Sequence, residues 1–158
     1  MLFQTTGLPL IPNPPLGFRF GVVFLTKGKI PNVVDVRFKS VSGIGATLVT
    51  DDVEKSSVTT QKRNVTKSVK YGNLTLDRGV LLGSPLSNDV EIIFREMLTV
   101  PVDIIVSILN EGLIPVKSWI FNKAYPVSWS ISGIDAASSE VLIERIEFEY
   151  SRFASLSL

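Results

Sequence analysis

Apolar residues recur at every second position of this chain, in short runs spread along its length. Val102, Ile104, Val106 and Ile108 alternate with Asp103 and Ser107. Phe18, Phe20, Val22 and Phe24 share one parity, and Val34, Val36 and Phe38 alternate with Asp35, Arg37 and Lys39. Val127, Trp129 and Ile131 alternate with Ser128, Ser130 and Ser132. In the last run Leu142, Ile146, Phe148 and Tyr150 fall opposite Arg145, Glu147 and Glu149. A period of two places successive side chains on opposite faces, which is the pattern of a half-buried strand. Thr47–Val49, Lys67–Tyr71 and Asn73–Gly79 read as further extended pieces. Asn110-Glu111-Gly112 predicts a turn into a strand over Leu113–Asn122, a hairpin.

One segment has a helical period. Val90, Ile93, Phe94 and Met97 fall at i, i+3, i+4 and i+7, and Pro101 follows. Ser87, Asn88 and Asp89 offer caps, so a helix is expected over about 88–98. This stripe should pack on the sheet. Phe94→Ala would then cost about 3–5 kcal/mol. Many short strands with one helix predict a mainly β fold, an antiparallel barrel or sandwich with the helix at its flank.

At 158 residues the chain is expected to form one domain, 1–158. Residues 1–16 are rich in proline and should be extended. Residues 51–66 read DDVEKSSVTTQKRNVT and interrupt the apolar pattern. A long polar excursion between strands is either functional or mobile. Its acidic start (Asp51, Asp52, Glu54) and basic end (Lys55, Lys62, Arg63) suit contacts with charges on another subunit.

The chemistry open to the chain is narrow. It has no Cys and no His, which removes disulfides, thiolate ligands and the usual general base at neutral pH. Sixteen Lys and Arg against fifteen Asp and Glu give a net charge of +1, without the basic excess of a nucleic-acid binder. No apolar run reaches the ~18–20 residues that span a bilayer, and the opening residues are not a secretory signal.

Each remaining motif is better explained by structure. Ser42-Gly43-Ile44-Gly45 lacks the ending of a phosphate loop and reads as a turn. Asp51-Asp52-Val53-Glu54 lacks the glycine and alternation of a calcium loop. Glu140, Glu144, Glu147 and Glu149 read as a solvated strand face with Arg145 as partner. Trp119 and Trp129 are expected in core or interface packing. No catalytic, cofactor or metal site is predicted.

Several stretches resemble a known family. They are Lys70-Tyr71-Gly72-Asn73-Leu74-Thr75-Leu76-Asp77-Arg78-Gly79, Trp119-Ile120-Phe121-Asn122-Lys123-Ala124-Tyr125-Pro126-Val127, Phe38–Ile44 and the closing Ser139–Tyr150. In order and spacing they resemble the phage tail tube family, which also supplies inner tube proteins to extracellular contractile injection systems. Asp77 stands where that family commonly has Lys, and Lys123 interrupts an Asn-Ala-Tyr-Pro run. The resemblance implies a structural protein, not an enzyme. It implies homohexameric rings that stack around a channel, with sheath and baseplate proteins outside and cargo or DNA within. It also implies assembly in the bacterial cytoplasm and a final place in a phage tail or extracellular particle. A specialised ring that joins tube to baseplate is the alternative within the family. A small-molecule-binding β-barrel is the alternative outside it.

Overall fold

The computed structural model describes residues 19–26, 37–52 and 64–156, with the backbone alone for 51–52 and 64–66. The expected arm over 1–16, together with Phe18, Val34 and Val36, lies outside the described residues. In chain order the elements are β1 (Phe20–Leu25), β2 (Ser40–Ser42), β3 (Ala46–Asp52), β4 (Asn64–Tyr71), β5 (Leu74–Gly79), α1 (Pro85–Glu96), β6 (Val102–Leu109), β7 (Pro115–Ile131), β8 (Ile143–Glu149) and β9 (Arg152–Leu156). Seven strands form one antiparallel sheet in the order β1-β6-β7-β8-β5-β2, with β9 also on β7, while β3 and β4 pair with each other.

The sheet folds over because two strands pass through a corner. The sequence suggests separate strands over 113–122 and 127–131, but these are one strand of 17 residues. The first half of β7 pairs with β6 and the second with β8. β8 and β9 lie end to end along β7: Tyr125 faces Glu149 and Asn122 faces Arg152 in one register, which shifts between Pro126 and Ser128. At the corner Val102 faces Ala124 while Ile104 faces Phe121, so Asn122 and Lys123 together oppose Asp103. This is a β-bulge, which bends the strand that carries it. Lys123 adopts φ 53, and its N–H donates to Asp103 Oδ1 at 2.9 Å. The family departure at Lys123 is therefore the residue that turns the corner.

Two layers result. One holds β1, β6, the first half of β7 and β9; the other holds the second half of β7, β8, β5 and β2. Between them lie Val22, Ile104, Val106 and Phe121 from the first layer and Leu74, Leu76, Ile146 and Phe148 from the second, with Val90 of α1. Phe24 of β1 meets Phe148 of β8 with ring centroids 5.8 Å apart. The arrangement is a sandwich. Among the described residues it does not close into a barrel, since β1 and β2 end the sheet.

The helix starts earlier than its spacing suggests. Ser84 is the N-cap, its hydroxyl accepting from the Ser87 N–H at 3.2 Å, and Pro85 opens the first turn. The buried side is Leu86, Val90 and Ile93 rather than the stripe running through Phe94 and Met97. Phe94 is 42% exposed, and Met97, which ends the helix at φ 52, is mostly in water. The extra N-terminal turn brings Leu86 onto the sheet and rotates Phe94 away.

A buried ion pair ties this helix to β5 and β8, the adjacent inner strands of the second layer. Arg78 Nε donates to Glu144 Oε2 at 2.8 Å, and both side chains are buried. Arg78 Nη2 donates to Ser84 Oγ at 2.6 Å and to Ser87 Oγ at 2.8 Å. The Ser87 hydroxyl and Trp129 Nε1 donate to the Glu144 carboxylate at 2.8 and 2.9 Å. The Arg78 guanidinium also sits 5.4 Å from the Phe38 ring centroid. Glu144 thus belongs to the core face with Ile146 and Phe148, not to a solvated face. Arg145 points the other way and pairs with Asp77. Burial alone would raise the Glu144 pKa, but hydrogen bonds from Arg78, Trp129 and Ser87 outweigh it and hold the carboxyl below its ordinary value.

Removing one partner leaves the other charge buried and alone. Glu144→Ala should therefore cost about 3–5 kcal/mol in urea denaturation. A depressed carboxyl contributes stability at pH above its unfolded value, and that stability is lost as pH falls through the folded value. Denaturation midpoints of the unaltered chain should fall as pH drops below the ordinary carboxylate range, and more steeply than those of Glu144→Gln. Equal slopes would show that Glu144 does not carry the acid sensitivity. Phe94→Ala should cost under about 1 kcal/mol in the dispersed subunit, because its ring is already partly in water.

Candidate assembly surfaces

The polar excursion is in part a hairpin. β3 and β4 extend into it: Asp52 faces Asn64, Asp51 faces Val65 and Thr50 faces Thr66. Asp51 and Asp52 thus lie at the far end of a two-stranded arm. Glu54, Lys55, Lys62 and Arg63 lie outside the described residues, and of the expected charge set only the backbone of Asp51 and Asp52 is described.

The arm continues strands of the body. Ser40 faces Asp77 and Ser42 faces Thr75 in β2 and β5; Ala46 faces Tyr71 and Thr47 faces Lys70 in β3 and β4. The register is the same, so β2–β3 and β4–β5 are one long hairpin broken at 43–45 and 72–73. Gly43 makes the break possible. It adopts φ 87, and a Cβ there would collide with the carbonyl oxygen of Asn73. The Ser42–Gly45 motif is therefore a strand break, as its lack of a phosphate-loop ending suggests.

Aromatic packing anchors the arm. Tyr71 meets Tyr150 and Phe153 with centroids 5.7 and 5.5 Å apart, and Phe121 meets Tyr150 at 4.9 Å. Burial, with Tyr71 beside it, pushes the Tyr150 pKa up. Its hydroxyl is buried and has no hydrogen-bond partner among the described residues. Beyond Tyr71 the arm is bare. Leu48 and Val69 face each other on the Tyr71 side, and Leu48 is 60% exposed. Lys70 and Val49 are on the other side. A two-stranded ribbon without a covered apolar face is marginal in water.

The body also presents open edges. β1 and β9 bound the first layer on either side, and β2 bounds the second. Unpaired edge strands are templates for pairing with another chain. The outward face of the second layer is polar. Arg145 binds Asp77 through two hydrogen bonds of 2.7 and 2.8 Å, and Tyr125 donates to Glu149 at 2.7 Å. The Arg145 hydrogen bond holds the Asp77 carboxyl below the ordinary carboxylate value, and the bond to Glu149 raises the Tyr125 pKa. Sequence reasoning overlooked β9, whose signal is weak: only Phe153 and Leu156 are large and apolar.

Among the described residues no group of acidic side chains is arranged to hold a metal, and no helix is long and apolar enough to cross a membrane. Open strand edges and a bare two-stranded arm are features suited to contact with other polypeptides.

Comparison with known proteins agrees with this chemistry. A family model for the T4-like virus tail tube protein gp19 matches residues 16–154. A chain in the cryo-EM structure of the anti-feeding prophage baseplate, symmetrised six-fold, is 30% identical with a TM-score of 0.82, covering 90% of this chain and 95% of that one. A chain of the sheath–tube complex of the PVC extracellular contractile injection system, in its extended state, is 20% identical with a TM-score of 0.78, over 94% and 95% of the two chains. A chain in the tube-terminating cap of the anti-feeding prophage is 21% identical with a TM-score of 0.73, over 100% and 95%. No curated protein matches by sequence. With nearly the whole chain matched by the family model, the protein belongs to the T4-like virus tail tube family.

Proposed function

We propose that this chain is a structural subunit of the inner tube of a contractile tail or injection particle, in which six copies close into a ring and rings stack around a channel. The observation that carries this is the pair of open edges on one layer. β1 and β9 bound the same four-stranded layer. Head-to-tail pairing of β9 with β1 of the next copy would satisfy both edges at once. Repeated around an axis, such a heterologous contact closes into a ring with no edge left. The six-fold baseplate that holds a 30% identical chain supports six copies. Resemblance to chains of a sheath–tube complex and of a baseplate supports sheath and baseplate proteins as partners. Assembly in the bacterial cytoplasm, and passage of protein cargo or DNA through the channel, follow from the same reading. Catalysis has no part in it.

The excursion 51–66 fits as an assembly element. Its described ends, 51–52 on β3 and 64–66 on β4, lie at the far end of the arm, and in sequence the acidic start is followed by Lys62 and Arg63. A contact with a neighbouring ring through these charges would set register.

A second reading is a ring that joins the tube to the baseplate. It is favoured by the higher identity to the baseplate chain, 30%, than to the sheath–tube chain, 20%. A small-molecule barrel is disfavoured. The described sheet does not close, and its apolar cavity of about 250 Å³ is a groove beside α1 lined by Phe24, Leu86, Val90, Ile93, Val102 and Phe148.

Negative-stain images of the purified chain separate these readings. Hollow rings that grow into tubes are the expected result, and rings that never elongate would indicate the joining role. Limited proteolysis should cut within 51–66 in dispersed subunits and not in tubes. A protein that stays monomeric at every concentration and is cut equally throughout would overturn the tube reading.

A further inference from the structure

The outward face of the second layer holds a polar hollow of about 340 Å³, lined by Lys39, Asp77, Ser130, Ser132 and Arg145. Strand pairing gathers these residues from the width of the layer. Ser130 of β7 faces Arg145 of β8, Arg145 faces Asp77 of β5, and Asp77 faces Ser40 of β2. Neighbouring strands lie about 4.8 Å apart, so adjacent side chains of this row are within reach of one small ligand. Lys39 is fixed to the same row by its backbone, whose N–H donates to the Asp77 carbonyl at 2.7 Å.

Donors and acceptors in the hollow do not balance. Asp77 is its one carboxylate among the described residues, and it already accepts from Arg145 at 2.7 and 2.8 Å and from Ser40 at 3.3 Å. Arg145 first, then Ser40 and the charge of Lys39, hold the Asp77 carboxyl below its ordinary value. Arg145 makes this contact through Nε and Nη2, which leaves Nη1 and the end of its fork without a partner among the described residues. The Lys39 ammonium and the Ser130 hydroxyl have no hydrogen-bond or ion-pair partner there either. Ser132 Oγ accepts from the Ile143 N–H at 2.9 Å and keeps its own proton to donate. Glu147, the next carboxylate along β8, faces Thr75 and Ser128 in the neighbouring row and does not line the hollow.

We propose that this hollow binds a phosphate group, with Lys39 and the outer end of the Arg145 fork meeting its charge and Ser130 and Ser132 donating to its remaining oxygens. Two cations stand against one carboxylate that is already engaged, so the hollow carries a surplus positive charge and repels a metal ion. Four groups offer protons, and a phosphate only accepts. Its several oxygens match donors on different sides of a hollow, whereas the two oxygens of a carboxylate leave some of them unmet. Arginine suits it further, because a guanidinium presents its N–H groups in a fixed fork. Asp77 is then a positioning residue: it occupies one edge of Arg145 and aims the other outward. The same chemistry is offered by free inorganic phosphate and by the backbone of a polynucleotide.

Calorimetric titration of the dispersed chain with inorganic phosphate, at constant ionic strength, tests the site. One saturable site per chain is expected, with Kd on the order of 1 mM, and chloride should give no saturable heat. Lys39→Gln should weaken binding roughly tenfold and Ser130→Ala roughly threefold. Both positions are exposed, so the variants should fold as the unaltered chain does. Arg95→Gln, at an exposed arginine of α1 outside the hollow, should bind phosphate unchanged.

A short oligothymidylate separates the two sources. Binding of the oligonucleotide that inorganic phosphate displaces and Lys39→Gln weakens would assign the hollow to a polynucleotide backbone. Binding of inorganic phosphate alone would assign it to the free ion. Absence of saturable binding by both probes, or binding that Lys39→Gln and Ser130→Ala leave unchanged, would overturn the proposal. Each of these results is read on dispersed chains and leaves the tube reading as it stands.

Discussion

The Arg78–Glu144 pair is the point on which the second layer and the helix depend. Arg78 is on β5, Glu144 on β8 and Trp129 on β7, while Ser84 and Ser87 belong to the cap and first turn of α1. Five groups from four elements meet here: one carboxylate, one guanidinium and the three side chains of Ser84, Ser87 and Trp129. Two buried charges are costly to desolvate, and their attraction repays this only when the remaining donors and acceptors are filled. Ser84 is used twice, as helix cap and as Arg78 acceptor. Register between β5 and β8, the start of α1 and the seat of Trp129 are thereby coupled. An apolar replacement of similar volume could be as stable, but it would not fix where the helix begins.

The second constraint is strand continuity. β7 serves both layers, and β8 and β9 follow it through the same corner. The bulge at Asn122–Lys123 supplies the bend, and Asp103 accepts the Lys123 N–H that the bend would otherwise leave unpaired. A sheet folded in this way buries one face of each layer within a single copy. It leaves open edges at β1 and β9 and apolar side chains at the ends. Open edges of this kind are drawbacks for a monomer, and pairing between identical copies would remove them.

Much of the fold is legible as period two. Strands β1, β6, β8 and both halves of β7 follow from alternation, because one face of each meets the core. Three features are not. The joining of the two halves of β7 depends on a bulge, and alternation breaks there, so local pattern suggests two strands. The helix start depends on Ser84 accepting from Ser87, whereas Asn88 and Asp89 look equally good as caps from spacing alone. Glu144 shares parity with Ile146 and Phe148, a signal that was present but outweighed by the expectation that carboxylates face water. Its partner is 66 residues away in sequence, and nothing local reveals a pairing at that distance. Of the assembly residues, the excursion's position was legible and its strand pairing was not, since Val65 is the only apolar residue among Asn64–Thr66.

Gly43 links fold to assembly. At φ 87, with no room for a Cβ against Asn73, it lets the hairpin leave the body while its register is kept. Without a break, β3 and β4 would continue the twist of β2 and β5, and the arm would stay in the plane of the second layer. With it, the same two strands do different work on either side. Leu74 and Leu76 fill the core of their own copy, whereas Leu48 and Val69 reach into water. The apolar parity switches across the break, from Val69 and Tyr71 in the arm to Leu74 and Leu76 in the body. One hairpin thus supplies an apolar face to its own core and presents a second, uncovered one beyond it. The aromatic group of Tyr71, Tyr150 and Phe153 keeps the arm from pivoting freely at the break. The direction in which the arm projects is therefore set by the body of the subunit itself, which would lower the ordering cost of any contact made through it.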